Sequence, residues 1–293
     1  MRNFFFFPAL FPRFLPIFTF GTICLAGICG LGRSRAGSFG IPQKIRTMKT
    51  FRIFLALLAV AAMSACTERP VKPRFAAVRL DTLLVEPSYE CQVSYNFASI
   101  ENAPKSEALQ SIEQSNIGYF FELEDSEGSA AAAIAESLRQ TDRQLALPES
   151  ARHGGAKAQY EISVESEGSV VDTLLCYMIY RSDYLGGAHG MYSTEYHTYS
   201  LLDGYEFTAA DLLGADKMEP LAALIRAKVC EMSGAASDDE LSANGFFPEY
   251  ISVTDNFRIT PEGMIFHYNP YEIACYANGE IDIEVTREEL EAL

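Results

Sequence analysis

A short targeting pattern from Met48 to Cys66 decides where the folded part of the chain can begin. Lys49 and Arg52 form a small positive region, an apolar stretch follows, and small residues stand directly before the cysteine. This arrangement is typical of a secretory signal peptide, here residues 48–65, with its cleavage site. A cysteine at the cleavage position indicates a bacterial lipoprotein. We therefore expect the thiol of Cys66 to be acylated and to anchor the new N-terminus in a membrane.

The region before Cys66 leaves two alternatives open. The apolar run before this cysteine could be a transmembrane helix, but it is shorter than the roughly 20 residues that a span needs. Residues 1–47 contain a further apolar run at 14–31, which proline and glycines interrupt. Because two export signals in tandem are redundant, we interpret 1–47 as an upstream extension of the gene model, with translation starting at Met48. The alternative is a genuine first transmembrane segment.

The charge of the chain is divided unevenly at Cys66. Eight of the 23 Lys and Arg residues precede this cysteine, whereas all 39 Asp and Glu residues follow it. The exported part therefore carries 15 basic and 39 acidic residues, a net charge of −24. A body this acidic repels nucleic acid, because DNA binding depends on Lys and Arg that neutralise phosphates. Its many tyrosines and branched apolar residues indicate a folded chain.

The pattern after Cys66 predicts an α+β fold with mostly antiparallel sheets and packed helices, because hairpins are frequent and βαβ periodicity is not evident. Residues 66–74 contain two prolines and are predicted to be a tether. Alternating residues from Tyr89 to Phe97 predict a strand, Glu167-Gly168 predicts a turn, and 170–180 predicts a central strand. Two sequential domains are expected, 75–182 and 183–293. Helices are predicted at 106–121, 129–145, 208–213 and 217–232, and further strands at 160–164, 192–201, 257–259, 264–268 and 281–285, before a terminal helix capped by Thr286.

Three segments of the second half carry a resemblance to a known family: Leu185–Gly190, Tyr199–Leu213, and Phe266–Gly279 with the strand and helix that follow. Together they resemble the domain of unknown function at the C-terminus of RsiV-type anti-sigma factors, which recurs in lipoproteins of the Bacteroidetes type. Roughly residues 75–180 resemble the domain that precedes the catalytic module of PdaC-type deacetylases. The resemblance implies an extracytoplasmic α+β fold and, from the RsiV type, lysozyme binding. It does not carry over sigma-factor control or deacetylation, since the chain lacks those modules.

The glycine-rich loop around His189 has two interpretations. Gly186 and Gly187 could let a ligand approach the backbone, and His189 could donate or transfer a proton. The alternative, which we favour, is a tight connection between two strands in which glycine supplies positive φ. A Gly-x-Ser-x-Gly motif is not found in the sequence, which argues against a hydrolase of that class.

Five tyrosines lie around the same loop or within the segment 266–279, namely Tyr184, Tyr192, Tyr268, Tyr271 and Tyr276. They offer large contact areas at a low entropic cost, which suits a protein or glycan surface, although ordinary core packing explains them equally well. The candidate binding residues are Tyr184, Gly186, Gly187, His189, Tyr192, Asn269, Tyr271 and Tyr276.

Metal and cofactor sites are not predicted. His189, Glu195 and His197 were considered as metal ligands, but the alternation of residues 195–198 favours a solvated strand face, and zinc-binding spacings are not found. Four cysteines follow Cys66, and in an oxidising compartment such an even set suggests disulfides. Cys230 was placed opposite the apolar face of its helix, so a Cys230–Cys275 disulfide is the candidate pairing.

These observations predict a binding or interaction lipoprotein of the cell envelope, either periplasmic or in the outer membrane. Its partners would be the membrane, through the lipid, and either a cationic protein such as lysozyme or peptidoglycan. The alternative is an envelope enzyme that acts on peptidoglycan through the loop at His189. The binding role is favoured, because the sequence does not contain a recognisable set of nucleophile, base and orienting residues, and catalytic residues are not assigned.

Overall fold

The computed structural model describes residues 69–124, 128–146 and 157–293, so residues 1–47, the targeting segment and Cys66 lie outside the described residues. The described residues belong to one compact unit. Across the described ranges, none of the helices has both the length and the apolar character needed to cross a bilayer. The elements in chain order are β1 (Phe75–Val85), β2 (Tyr89–Ile100), α1 (Glu107–Phe121), α2 (Ala130–Leu145), β3 (Ala158–Val171), β4 (Leu174–Tyr184), β5 (Met191–Ser200), α3 (Ala209–Leu213), α4 (Met218–Ser233), α5 (Asp238–Ala243), β6 (Phe257–Thr260), β7 (Gly263–Tyr268), β8 (Ile281–Thr286) and α6 (Arg287–Ala292).

The first sheet has five strands in the order β1-β2-β3-β4-β5. Its neighbours are antiparallel except β2 and β3, which run parallel. The α+β class is confirmed. The prediction that βαβ periodicity is missing is wrong for β2 and β3, which are parallel neighbours. Two consecutive helices, α1 and α2, form the crossover between β2 and β3, and a parallel pair requires a crossover of this kind. The domain boundary expected between residues 182 and 183 lies inside β4, and β5 from the second half completes this sheet.

The first hydrophobic core lies between this sheet and helix α1. Residues of β2 alternate, so that Tyr89, Cys91, Val93, Tyr95 and Phe97 are buried. The ring of Phe97 packs edge-on against Phe120, with the centroids 5.0 Å apart. Burial of large aromatic rings in this geometry contributes strongly to core stability, so the core fixes the helices on one face of the sheet.

The predicted turn at Glu167-Gly168 is wrong, because β3 runs through both residues and the chain turns at Asp172-Thr173. A Cβ atom at Gly168 would collide with the ring of Phe75. Glycine here leaves room for the close approach of a distant aromatic ring, and a β-strand accepts glycine at such a contact. The predicted central strand is also shifted, since residues 170–171 end β3 and β4 begins at Leu174.

The second core joins helix α4 to the three-stranded sheet β6-β7-β8. Leu221, Ile225 and Val229 on α4 are fully buried, as the amphipathic pattern predicted. The predicted hairpin and the last strand are confirmed as β6, β7 and β8, which are antiparallel neighbours. Capping boxes begin α3 at Thr208 and α6 at Thr286, and each satisfies two backbone N–H groups at a helix start.

Two asparagines cover the outer edge of β5 and join the second half to the first sheet. Asn256 Oδ1 accepts from Tyr196 N (2.8 Å), and Asn256 Nδ2 donates to Thr194 O (2.8 Å). Asn269 Oδ1 accepts from Thr194 N (2.7 Å), and its Nδ2 donates to the same Thr194 carbonyl (3.1 Å). These side chains occupy positions that a neighbouring strand would otherwise fill, since the polar backbone groups of an edge need partners when they are covered.

We expect Asn256→Ala to lower the free energy of unfolding by about 2 kcal/mol, because it leaves the N–H of Tyr196 covered but without this partner. The measurement is urea unfolding followed by circular dichroism. Asn278→Ala is the matched control, because Asn278 is exposed and its bond to Asn244 O lies in a surface turn. Equal midpoints for the two variants would contradict the structural role of Asn256.

Candidate functional site

The glycine-rich loop is a tight connection between β4 and β5. Gly186 and Gly187 have positive φ angles of 87° and 104°, which glycine adopts without a steric penalty. The hydroxyl of Tyr184 donates to the carbonyl of Gly187 (3.2 Å) and stabilises the loop conformation. These contacts agree with the favoured interpretation of the loop as a strand connection and give Tyr184 a local structural role.

Four of the predicted binding residues come together beside this loop, and we name His189, Tyr192, Tyr271 and Tyr276 the aromatic cluster. The rings of His189 and Tyr276 stack with their centroids 4.2 Å apart. Tyr192 and Tyr271 each lie 5.7 Å from the ring of Tyr276. Tyr276 is therefore the centre of the cluster. The β4–β5 loop and the segment of residues 271–276 meet at its ring.

The aromatic cluster is built on the surface. Tyr276 Oη donates to the carbonyl of Gly190 (3.0 Å), which fixes the ring against the end of the loop. Tyr271 is 50% exposed and has a positive φ of 73°, so its ring projects from a turn. Tyr268, by contrast, is buried in the second core and its hydroxyl donates to Ser252 O (2.6 Å). The two interpretations of the tyrosines thus apply to different members of the set.

Asn269 lies near the cluster but serves the fold. Its side chain holds Thr194 of β5, and its backbone N–H donates to Glu272 Oε2 (3.0 Å). Both ends of the amide side chain are therefore occupied, so the structure does not place Asn269 among the aromatic rings.

An acidic side chain, Glu280, lies beside the aromatic cluster. Thr194 Oγ1 donates to Glu280 Oε1 (2.7 Å). Burial, together with the neighbouring Tyr276 and the charge of Glu280, raises the pKa of Tyr192. The surroundings of the cluster therefore carry negative charge, as the sequence composition led us to expect.

A buried ion pair joins His267 on β7 to Asp282 on β8, and the sequence patterns did not predict it. His267 Nδ1 lies 2.7 Å from Asp282 Oδ1, and its Nε2 lies 3.6 Å from Glu280 Oε1. Burial lowers the pKa of His267, but the hydrogen bond and charge of Asp282 outweigh it and raise the pKa. The two residues are opposite each other across the antiparallel pair, a contact that requires the strand register to be known.

The interpretation of residues 195–198 as a solvated strand face is wrong. The side chain of His197 is only 12% exposed, and its Nδ1 lies 2.8 Å from Glu206 Oε1. The ring of Tyr119, from helix α1, stacks on His197 with the centroids 4.0 Å apart. Tyr119 Oη also donates to Glu206 Oε2 (2.9 Å). The face is covered because α1 packs over it, which the local pattern of β5 could not indicate.

Two carboxylates hold the charge of His197. Its Nε2 lies 3.8 Å from Glu195 Oε2, on the side opposite Glu206. Burial lowers the pKa of His197, but Glu195 and Glu206 together raise it to about 9. His197 is therefore an imidazolium at neutral pH. Within residues 69–124, 128–146 and 157–293, the structure does not contain a group of three or more His, Cys, Asp or Glu side chains that could hold a metal ion.

The predicted Cys230–Cys275 disulfide is not formed. All four cysteines of the described ranges are free thiols. Cys230 packs against the second core from α4, and Cys275 Sγ lies 3.6 Å from Asn278 Oδ1. The assumption that Cys230 faces away from the core was incorrect, and this contact accounts for an apolar thiol at that position. Burial raises the pKa of the Cys176 thiol to about 11.

Comparisons with known proteins agree with this architecture. Residues 210–288 match the family model described as "Protein of unknown function (DUF3298)". This match covers the second core and includes Tyr271 and Tyr276, whereas His189 and Tyr192 precede it. The chain thus contains a region similar to the DUF3298 family. A search of curated proteins gave no match.

Two solved structures share the fold. One is a member of the DUF3298 family from Bacteroides fragilis, with a TM-score of 0.66 and 22% identity over 77% of this chain and 95% of that chain. The other is a DUF3298 family protein from Pseudomonas aeruginosa, with a TM-score of 0.54 and 15% identity over 76% of this chain and 94% of that chain. At these identities the likeness shows the fold alone, and it extends over both cores.

Proposed function

We propose that this protein is a lipid-anchored binding module of the cell envelope, which presents the aromatic cluster to a cationic protein such as lysozyme. One observation carries the proposal: His189 and three tyrosines from separate segments converge on a surface that is fixed by the bond from Tyr276 to Gly190. An arrangement held this rigidly loses little side-chain entropy on binding.

The chemistry of the cluster suits a protein partner. Tyrosine is enriched among the residues that dominate protein interfaces, since its ring gives a large contact area and its hydroxyl bonds at the rim. Leu185, at the start of the loop that carries His189, is 47% exposed and adds apolar area to this loop. Negative charge lies beside the tyrosines at Glu280, which accepts from Thr194 Oγ1 and contributes to the raised pKa of Tyr192.

The charge of the exported part supports a cationic partner. A net charge of −24 attracts a basic protein and raises its rate of association, and this effect weakens as salt screens the charges. The resemblance to the extracytoplasmic domain of RsiV-type proteins adds lysozyme as the specific candidate. The lipid at Cys66 would keep the module at a membrane of the envelope, periplasmic or outer, where such a partner is met.

Calorimetric titration of the protein with lysozyme, at low and at high salt, tests this proposal. We expect binding that weakens with salt, and an affinity about 30-fold lower for Tyr271→Ala, the loss typical of an interface hot spot. Tyr250→Ala is the matched control, because Tyr250 is 62% exposed and its ring contacts Phe247 rather than the cluster. An equal loss in both variants would contradict a role for the cluster.

Peptidoglycan is the second candidate partner, because stacked exposed rings also offer faces to sugars. Retention of the protein on purified peptidoglycan, together with no heat on titration with lysozyme at either salt, would favour this candidate. An enzymatic role for His189 is less well supported. Its Nδ1 lies 2.8 Å from the carbonyl of Gly190, and its ring is occupied by stacking on Tyr276. Release of soluble fragments by wild-type protein and not by His189→Ala would support the enzyme.

A further inference from the structure

The two edges of the five-stranded sheet are treated differently. The outer edge of β5 is covered by the side chains of Asn256 and Asn269. Further along this edge, Tyr199 of β5 forms an antiparallel bridge with Glu206. The outer edge of β1 is long and regular, with eleven consecutive residues in register with β2. It contains neither proline nor a bulge, two devices by which proteins protect an edge from pairing, and its two charged residues, Arg79 and Asp81, have opposite signs.

Backbone geometry shows which groups of β1 face outward. Glu101 N donates to Arg74 O, and Glu86 N donates to Tyr89 O, so positions 74 and 86 form hydrogen-bonded pairs with β2 at its two ends. In an antiparallel ladder, such pairs recur at every second residue. The even-numbered residues of β1 therefore bond to β2, and the N–H and C=O groups of the odd-numbered residues 75–85 point to the free edge.

We propose that β1 pairs with β1 of a second copy of this chain, antiparallel and with the two-fold axis at Leu80. In this register, Arg79 lies directly opposite Asp81 of the other copy, and Asp81 lies opposite its Arg79. Both are odd-numbered, so their outward backbone groups can exchange hydrogen bonds. The whole of Phe75–Val85 is used, because position 75 meets position 85.

Charge selects this register over its neighbours. An axis at position 79 would place two arginines directly opposite each other, and an axis at position 81 would do the same with two aspartates. Opposite charges across strands stabilise a pair, whereas like charges destabilise it. A pairing around Leu80 also leaves the pleat unchanged, so the helices of both copies cover the same face of one continuous sheet.

The side chains of the edge fit a second copy. Leu83 and Val85 are 52% and 54% exposed, unusual for large apolar residues on a regular strand. In the proposed register, Leu83 meets Ala77 of the other copy, a small exposed residue that leaves room for it. Because the same patch faces itself, the contact closes at two copies and does not propagate.

A charge exchange tests the pairing in the full-length protein, purified in detergent and measured by sedimentation velocity over a range of concentrations. We expect wild type to dimerise. Arg79→Asp and Asp81→Arg each turn two attractive pairs into repulsive ones and should weaken dimerisation by about tenfold or more. The double variant R79D/D81R restores both pairs and should dimerise nearly as well as wild type.

The double variant also controls for effects within one copy. Arg79 Nε donates to Asn96 Oδ1 and Ser94 Oγ donates to Asp81, so each single variant loses one of these bonds, whereas the double variant loses both. Wild type that stays monomeric, or a double variant as weak as the single ones, would overturn the proposal. Oxidative cross-linking gives an independent readout. Leu80→Cys should link two copies, since the axis brings the two positions together, whereas Leu83→Cys should not.

Discussion

Replacement of Cys66 by serine should abolish incorporation of a clickable palmitate analogue into the protein. The prediction follows from the signal pattern that ends at Cys66, where the thiol is the only side-chain chemistry that accepts the lipid. Each buried methylene contributes about 0.8 kcal/mol to membrane binding, so two or more acyl chains hold a protein essentially permanently. Labelling of cells followed by immunoprecipitation and in-gel fluorescence measures the result.

Two controls separate lipidation from other effects of the substitution. Cys91→Ser should keep the label, because Cys91 is buried in the first core and is not at the cleavage position. In a further variant, a signal cleaved without lipidation replaces residues 48–66. Its exported body should move to the soluble fraction, with a membrane-bound share about 100-fold lower. Label on the Cys66→Ser protein, or wild type in the soluble cytosol, would refute the anchored location.

The His197→Gln variant should lose about 3 kcal/mol of stability at pH 6. Removing one partner of a buried ion pair leaves the remaining charges uncompensated, which is strongly destabilising. Here the imidazolium is held between Glu195 and Glu206 and is covered by Tyr119. Urea unfolding at fixed pH, followed by circular dichroism, measures the loss.

The same loss should depend on pH in a defined direction. The pKa of His197 is raised to about 9 in the folded protein, above the value of about 6.5 in an unfolded chain. Its contribution is therefore fully present below pH 6.5, declines as the pH rises and is lost above about pH 9. The difference between wild type and His197→Gln should accordingly shrink by roughly 3 kcal/mol from pH 6 to pH 10.

His189→Gln is the matched control for this experiment. His189 is exposed on the loop and stacks on a surface ring, so its replacement should leave the free energy of unfolding nearly unchanged. If His197→Gln were no less stable than His189→Gln at pH 6, or if its deficit were the same at both pH values, the buried imidazolium would not stabilise the fold.

Local patterns predicted most of the elements of this fold. The alternation along β2, the amphipathic face of α4 and the capping residues Thr208 and Thr286 are each determined within a few residues of chain. Strand β1 was missed because its alternation is confined to residues 78–82, whereas the apolar runs at 75–77 and 83–85 on either side interrupt the pattern. The parallel pairing of β2 and β3 was missed because it depends on how α1 and α2 pack, which is a tertiary property.

The candidate site shows the same division. The candidate binding residues came from two separate segments, and the rings of His189 and Tyr271 do meet at Tyr276. The buried histidines were not expected, since their partners are distant or require a known register: Tyr119 from helix α1 covers His197, and Asp282 on β8 pairs with His267. Asn269 stood out in the sequence, but its amide holds the backbone of β5. A residue in a sequence motif can thus hold two segments of the fold together instead of binding a ligand.

The parallel neighbours β2 and β3 also set an order of events during folding. The hairpin of β1 and β2 is local in sequence and can form as soon as its residues are available, whereas β3 begins only at Ala158, after two helices. Contacts across so long a connection must first overcome loop-closure entropy, which slows a chain's folding. A chain that emerges from its N-terminus would therefore hold an unfinished hairpin, with both outer strand edges unpaired, until β3 arrives. During this interval the open edges can pair with other chains, which makes it the period of greatest risk of aggregation.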